Sequence, residues 1–275
     1  MICIEGLWKS FGAQEVLRGV SLQVQPGEFL ALVGLSGCGK SLLLKHVVRL
    51  MEPDRGRVLV NGQDLAALSR RELEATRSRM GYLFQNSALF DSLTVYDNVA
   101  FPLREKTRLG EGEIRRKVMS ELEVVGLQNA EEKYPAQLSG GMVKRAALAR
   151  TLARDPEIVL LDEPTTGLDP IVSGAILRLF ASVHQRRNLT GILVSHDIPA
   201  IFGIVQKVAM LHGGKIVALE ASAEARASRN PMLAQFVNGD PEGPIQLIES
   251  REEPDGRTRP PEMEDAVKKS GLKQP

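Results

Sequence analysis

Apolar residues in this chain fall into short dense runs, interrupted in the middle by a longer stretch with a different period. Ile2 and Ile4 alternate with polar neighbours, and Val16, Leu17, Val20 and Leu22 resume beyond Gly12, which predicts short strands around a turn. A Pro26-Gly27 turn leads into residues 29–33, wholly apolar and of strand length, and residues 42–50 are apolar around most of a helix. A turn at 53–56, a strand at 57–60 entering an Asn61-Gly62 hairpin turn, a short helix at 69–77 and an apolar strand at 80–84 follow. From 86 to 155 the period changes from two to 3.6. Ile114, Val118, Leu122 and Val125 share one face of a helix over 113–125, and a second helix covers 143–154. Strands return at 157–161 and 192–194, then a hairpin over 208–218 around Gly213 and Gly214. Alternating strands and helices with a helical block inserted between them predict an α/β chain.

Residues 34–41 read Gly-Leu-Ser-Gly-Cys-Gly-Lys-Ser and match the G-x-x-x-x-G-K-[ST] phosphate loop at every fixed position. The loop lies between a strand and a helix. There its amides and the helix start can surround an anion, Lys40 can reach the β- and γ-phosphates, and Ser41 can hold Mg²⁺. Residues 157–161 form a buried-type strand ending in Asp162 and Glu163, which suits an Mg²⁺-shell carboxylate followed by a residue that polarises water. Gln85 ends another strand, where its carbonyl can meet a metal or a water. His196 lies at the carboxyl edge of the sheet, within reach of a γ-phosphate. Ser139 stands as a helix cap ahead of Gly140 and Gly141, whose amides no side chain covers, making a second phosphate-facing helix start. Phe11, beside Gly12, offers a flat face for an adenine ring.

Composition narrows the partners more than the fold. The chain has 275 residues and a formal net charge of +1, so no large single-sign field points to nucleic acid. Two cysteines, Cys3 and Cys38, make no disulfide framework, and Cys38 sits inside the phosphate loop, which suits a reducing cytosol. Neither a leader-like N-terminus nor an apolar run of 18 residues occurs, so the expectation is a chain that is neither secreted nor membrane-spanning by itself.

In order and identity these stations resemble the ATPase subunits of ABC transporters. Residues 34–41 are similar to the family's Walker A, Gln85 to its Q-loop, 138–142 to its signature, 158–163 to its Walker B, 166–169 to its D-loop and His196 to its switch histidine, with Phe11 in place of the usual A-loop tyrosine. The resemblance implies a P-loop NTPase core of the ABC type, with an N-terminal antiparallel β subdomain and an inserted α-helical subdomain. The cassette would span 1–245, with a RecA-like core over 1–85 and 156–225 and helices over 86–155. A docking segment over 226–248 and a tail over 249–275 too poor in apolar residues to order would complete the chain. It implies catalysis by Glu163, His196 and Gln85. Nucleotide contacts would come from Phe11, Gly34, Ser36, Gly37, Cys38, Gly39, Lys40, Ser41, Leu42, Ser139, Gly140, Gly141 and Asp169. Mg²⁺ would be held by Ser41, Gln85 and Asp162. Leu42 departs from the pattern, since many such cassettes carry a second hydroxyl residue there.

The head-to-tail homodimer implied by the resemblance would sandwich ATP·Mg²⁺ between the Walker A of one cassette and residues 139–141 of the other. Residues 83–104, together with Met142 where most cassettes have Gln, narrow the resemblance to the ATPases of Mla/MCE phospholipid transport. That branch implies an integral-membrane permease, an MCE-domain protein, a STAS-domain accessory subunit and a place at the cytoplasmic face of the inner membrane. An importer of amino acids or another small solute is the alternative. The permease groove is expected beside Gln85, lined by Phe84, Leu89, Phe90, Leu93 and Tyr96. The Asn230-Pro231 helix start, with Met232, Leu233, Phe236 and Val237 on one face, is expected to dock on the dimer partner or the accessory subunit.

Overall fold

The computed structural model describes residues 1–196 and 198–246, and the tail expected over 249–275 lies outside them. Along the chain come β1 (Ile2–Phe11), β2 (Gln14–Val24), β3 (Phe29–Val33), α1 (Lys40–Val47), β4 (Arg55–Val60), β5 (Gln63–Asp64), α2 (Arg70–Ser78) and β6 (Met80–Leu83). Three helices follow, α3 (Val95–Lys106), α4 (Glu111–Val124) and α5 (Gly140–Leu152). Then come β7 (Ile158–Asp162), α6 (Pro170–Arg187), β8 (Thr190–Val194), α7 (Ile198–Ile201), β9 (Lys207–His212), β10 (Lys215–Ala221), α8 (Ser222–Ala225) and α9 (Pro231–Asn238).

Two sheets carry these elements. The first is antiparallel, ordered β2-β1-β4-β5, and its β1–β2 hairpin closes at Gly12 with a φ of 59°. The second, β10-β9-β3-β8-β7-β6, is parallel from β9 to β6 with β10 antiparallel at its edge. Its central strands are buried on both faces, which explains their unbroken apolar runs. Period-two alternation sorts their side chains between two cores. Phe29, Ala31, Val33, Val159, Leu161, Leu193, Val208 and Met210 face the core shared with α3, α4, α5 and α6. Leu30, Leu32, Ile158, Leu160, Ile192, Val194, Ala209 and Leu211 face α1 and the first sheet. The result is the expected α/β fold with an antiparallel sheet on one side and a helical block on the other.

Local chemistry fixes the ends that matter. Helix α5 starts three residues before the expected 143, because Ser139 Oγ accepts from Met142 N at 3.3 Å and draws both glycines into the first turn. Asp169 caps α6, with Oδ1 accepting from Ile171 N and Val172 N at 3.0 Å.

The C-terminal helix corrects one expectation. Asn230 does cap α9, accepting from Met232 N and Leu233 N. Yet the apolar face docks on its own cassette: Leu233 is wholly buried, and Met232, Phe236 and Val237 pack against the same core as Ala225 and Ile245. Two polar anchors hold it there. Asn230 Nδ2 donates to Val217 O at 2.8 Å, and buried Gln235 bonds both N and O of Ile245. The short helix finds its partner within the chain, where Leu233 joins the core that also holds Ala225 and Ile245.

Candidate functional site

Residues 34–41 wrap from the end of β3 to the start of α1. Glycine is required at Gly34, where φ is 144° and an added Cβ would collide with the Leu211 carbonyl. It is required again at Gly39, where φ is 106° and a Cβ would lie 3.0 Å from Val16 Cγ1 and Leu17 Cδ2. The β1–β2 hairpin therefore lies against the phosphate loop, and Phe11 ends that hairpin with half its surface exposed. Lys40, 4% exposed, donates to Gly34 O at 2.9 Å and Leu35 O at 2.8 Å. Burial pulls its ammonium below the ordinary lysine range, against the opposing pull of Cys38, Glu163 and Asp162. Ser36 and Gly37 are exposed at the loop's crest. Leu42 turns its side chain into the core beneath the first sheet, so only its backbone N–H remains for an anion.

Ser41 Oγ donates to Asp162 Oδ1 at 2.7 Å, bringing together two residues 121 positions apart. Tyr82 Oη donates to Asp162 Oδ2 at 3.0 Å. Burial, followed by the Asp162 charge, raises the Tyr82 phenol far above its ordinary range, so it remains a donor. Glu163 comes next, with a φ of 47° that a non-glycine residue holds only under constraint. Its amide donates to Val194 O, and its carboxylate collects three side chains. Gln85 Nε2 lies 2.8 Å and Thr166 Oγ1 2.9 Å from Oε2, while His196 Nε2 lies 2.6 Å from Oε1. Glu163, Thr165, Thr166, Ser195 and His196 line a cleft of about 290 Å³.

Ser139, Gly140, Gly141 and Asp169 belong to another surface, a groove of about 730 Å³ between α5 and α6. The glycines serve close packing, and Gly141 is itself buried. A Cβ on Gly141 would fall 2.7 Å from Val172 Cγ1, and one on Gly140 3.1 Å from Leu168 Cδ2. Tyr82, Thr166 and Lys144, whose ammonium donates to Gln85 O, are the partners that sequence reasoning missed. Nothing in the spacing pairs Tyr82 with Asp162 or Lys144 with Gln85, whereas Thr166 lies only three residues after Glu163. Among the proposed groove residues, Phe84 and Phe90 are exposed while Leu89, Leu93 and Tyr96 are half-buried; Phe101, unanticipated, is exposed with its ring 4.9 Å from Phe90. No helix among the described residues is long and apolar enough to cross a membrane.

Comparison with known proteins agrees with this geometry. Residues 17–166 match the family model described as ABC transporter. The chain is 42% identical over 247 residues to the "Intermembrane phospholipid transport system ATP-binding protein MlaF" of Haemophilus influenzae, covering 90% of this chain and 94% of the relative. It is 40% identical over 250 residues to the "Probable ribonucleotide transport ATP-binding protein mkl" of Mycobacterium leprae, covering 91% and 72%. A dimeric post-hydrolysis structure of the ATP-binding cassette MJ0796 with ADP and Pi superposes with a TM-score of 0.74 at 30% identity, covering 81% of this chain and 99% of that one. A phosphate loop, a strand-end carboxylate pair and a glycine-started helix in one α/β frame are the parts of an ATP-hydrolysing cassette, and the chain belongs to the ABC transporter ATPase family.

Proposed function

We propose that this chain is the ATPase subunit of an ABC transporter that moves phospholipid between the inner membrane and an MCE-domain protein, maintaining the lipid asymmetry of an outer membrane. The observation that carries the hydrolytic reading is the single carboxylate of Glu163 held by Gln85, Thr166 and His196. Similarity to MlaF along nine-tenths of the chain supports the phospholipid cargo.

Each residue then has a chemical task. Lys40 exchanges its two carbonyl contacts for phosphate oxygens, a stronger charge-assisted pairing. Ser41, Asp162 and Gln85 present oxygens, and the facing Ser41 and Asp162 pair fits a hard cation, so these residues would hold Mg²⁺. Held there, it would supply positive charge against the phosphate oxygens. Glu163 accepts the proton of the attacking water, oriented by Gln85 and His196. Phe11 stacks on the adenine. Two copies pair head to tail, each lending Ser139, Gly140, Gly141 and Asp169 to the nucleotide of the other. Closure on ATP and reopening after hydrolysis would be passed through Phe84, Phe90 and Phe101 to an integral-membrane permease. The permease, the MCE-domain protein and a STAS-domain subunit would be of the MlaE, MlaD and MlaB kinds, holding the cassette at the cytoplasmic face of the inner membrane.

The mkl relative supports a second reading, the same machinery with a ribonucleotide cargo. Purifying the complex through a tag on this chain and identifying its contents by native mass spectrometry separates the two. Co-purifying phospholipid supports the first reading; a lipid-free complex whose ATPase responds to ribonucleotides supports the second.

A further inference from the structure

Helix α5, which starts at the Ser139 cap, sends two cations to the loop that follows β6. Lys144 is 7% exposed, and its ammonium donates to the backbone carbonyl of Gln85. Ten residues after the helix start at Gly140, Arg150 donates from Nη2 to Ser87 O and from Nη1 to Ala88 O, each at 2.7 Å. Both acceptors belong to residues with left-handed backbone, φ 62° at Ser87 and 50° at Ala88. Two consecutive non-glycine residues in that region do not rest there by preference, so something outside the loop imposes its shape. A planar guanidinium that bonds both carbonyls at once is suited to do so, and a lysine there could not form the fork.

The loop has working groups at each end. From Gln85 the side-chain amide reaches Glu163 Oε2 at 2.8 Å. At the other end Phe90 lies beneath Arg150, whose guanidinium carbon is 6.0 Å from the ring centroid, and the ring is 44% exposed. Burial draws both cations below their ordinary ranges, and Glu163 is the charge that draws Lys144 back. The ammonium therefore sits in a dry place where losing its carbonyl leaves a charge poorly compensated.

We propose that Lys144 and Arg150 are positioning residues that lock the 85–88 loop to the signature helix, so that the Gln85 amide stays on Glu163 and any displacement of the Phe90 end reaches both Glu163 and the start of α5. This rests on the reading of Glu163 as base and Gln85 as its partner. It extends that reading to a single helix that ties the surface offered to a membrane partner, the hydrolytic carboxylate and the surface offered to the second nucleotide.

A double-mutant cycle on the full-length chain tests it. Lys144→Met removes the charge and keeps the bulk, and it should lower kcat for ATP about tenfold with KM changed less than about twofold, the pattern of an interaction acting on the chemical step. Lys144→Arg should restore most of kcat. In a Gln85→Ala background, Lys144→Met should cost less than about twofold more, because both changes act through one amide. Arg150→Lys, which keeps the charge and loses the fork, should lower kcat in the same way, and it serves as the reporter if Lys144→Met does not fold. An unchanged kcat in Lys144→Met or, when that variant does not fold, in Arg150→Lys overturns the inference, as does a raised KM with kcat intact, or an effect that adds in full to that of Gln85→Ala. Should Gln85→Ala alone leave kcat unchanged, the role given to Gln85 fails and this inference with it; a full effect of Lys144→Met persisting without the Gln85 amide fails this inference alone.

Discussion

His196 Nε2 lies 2.6 Å from Glu163 Oε1, on the carboxylate oxygen that Gln85 and Thr166 leave free. The Glu163 carboxylate is thus held by three side chains. Because an amide keeps the shape of the carboxylate but cannot accept a proton, Glu163→Gln should bind ATP normally and lose at least about a hundredfold in turnover. The arrested species should be an ATP-bound dimer. Size-exclusion chromatography with ATP and Mg²⁺ checks this, and a monomer turning over at the normal rate would remove Glu163 from the role of base.

Cys38 supplies a pH-dependent readout of the phosphate loop. Burial pushes its thiol above the ordinary cysteine range, and the neighbouring Lys40 charge only partly offsets that. The reactive form is the thiolate, so at a given pH less of it is present than in a free thiol, and alkylation should continue to accelerate at pH values where a free thiol has levelled off. In a Cys3→Ser background, iodoacetamide should label Cys38 more slowly than glutathione, and MgATP should slow it further. Labelling as fast as glutathione would contradict the raised thiol, and labelling without protection by MgATP would place Cys38 outside the nucleotide contact.

Phe90 and Phe101 form an exposed aromatic pair at the end of the loop carrying Gln85. Exposed rings in contact mark a surface that gains from a partner. Phe101→Ser should reduce recovery of the membrane partner in a pull-down, while basal ATP hydrolysis by the purified chain stays within about twofold, since that ring packs on Phe90 at the surface and on none of the residues that hold Glu163. Loss of basal hydrolysis with partner recovery intact would argue for a role inside the cassette instead.

Leu233 seats α9 in the main core with no exposed surface. Leu233→Ala should lower unfolding free energy by about 2–5 kcal/mol, the range for a fully buried leucine. Ending the chain after Arg229 should do at least as much damage. Denaturation curves decide it: unchanged midpoints would return α9 to the role of a segment that docks on another subunit.

What the sequence discloses and what it hides follows from the range of the interactions. The phosphate loop is legible because its shape is set locally, by Gly34 and Gly39 at positive φ and by Lys40 six residues from the carbonyl it bonds. The strands are legible because an unbroken apolar run such as 29–33 or 158–161 needs only neighbours. Tyr82 on Asp162 and Lys144 on Gln85 join residues 80 and 59 positions apart, and their meeting depends on strand order and helix placement that no local pattern contains. Gly141 was readable as an amide donor, whereas its closeness to Val172 depends on how α5 meets α6. Helix α9 was readable from Asn230 and Pro231 as an amphipathic helix, yet amphipathicity states that a face must be covered and not by what.

The most direct measurement is ATP-driven transfer of a labelled phospholipid by the complete complex in proteoliposomes, with wild-type chain and with Glu163→Gln. Transfer should require ATP and Mg²⁺, and it should fall to background in Glu163→Gln although nucleotide is still bound. Phospholipid transfer that persists undiminished in Glu163→Gln, or hydrolysis stimulated by a ribonucleotide and indifferent to phospholipid, would contradict a cassette that uses Glu163 to energise lipid movement.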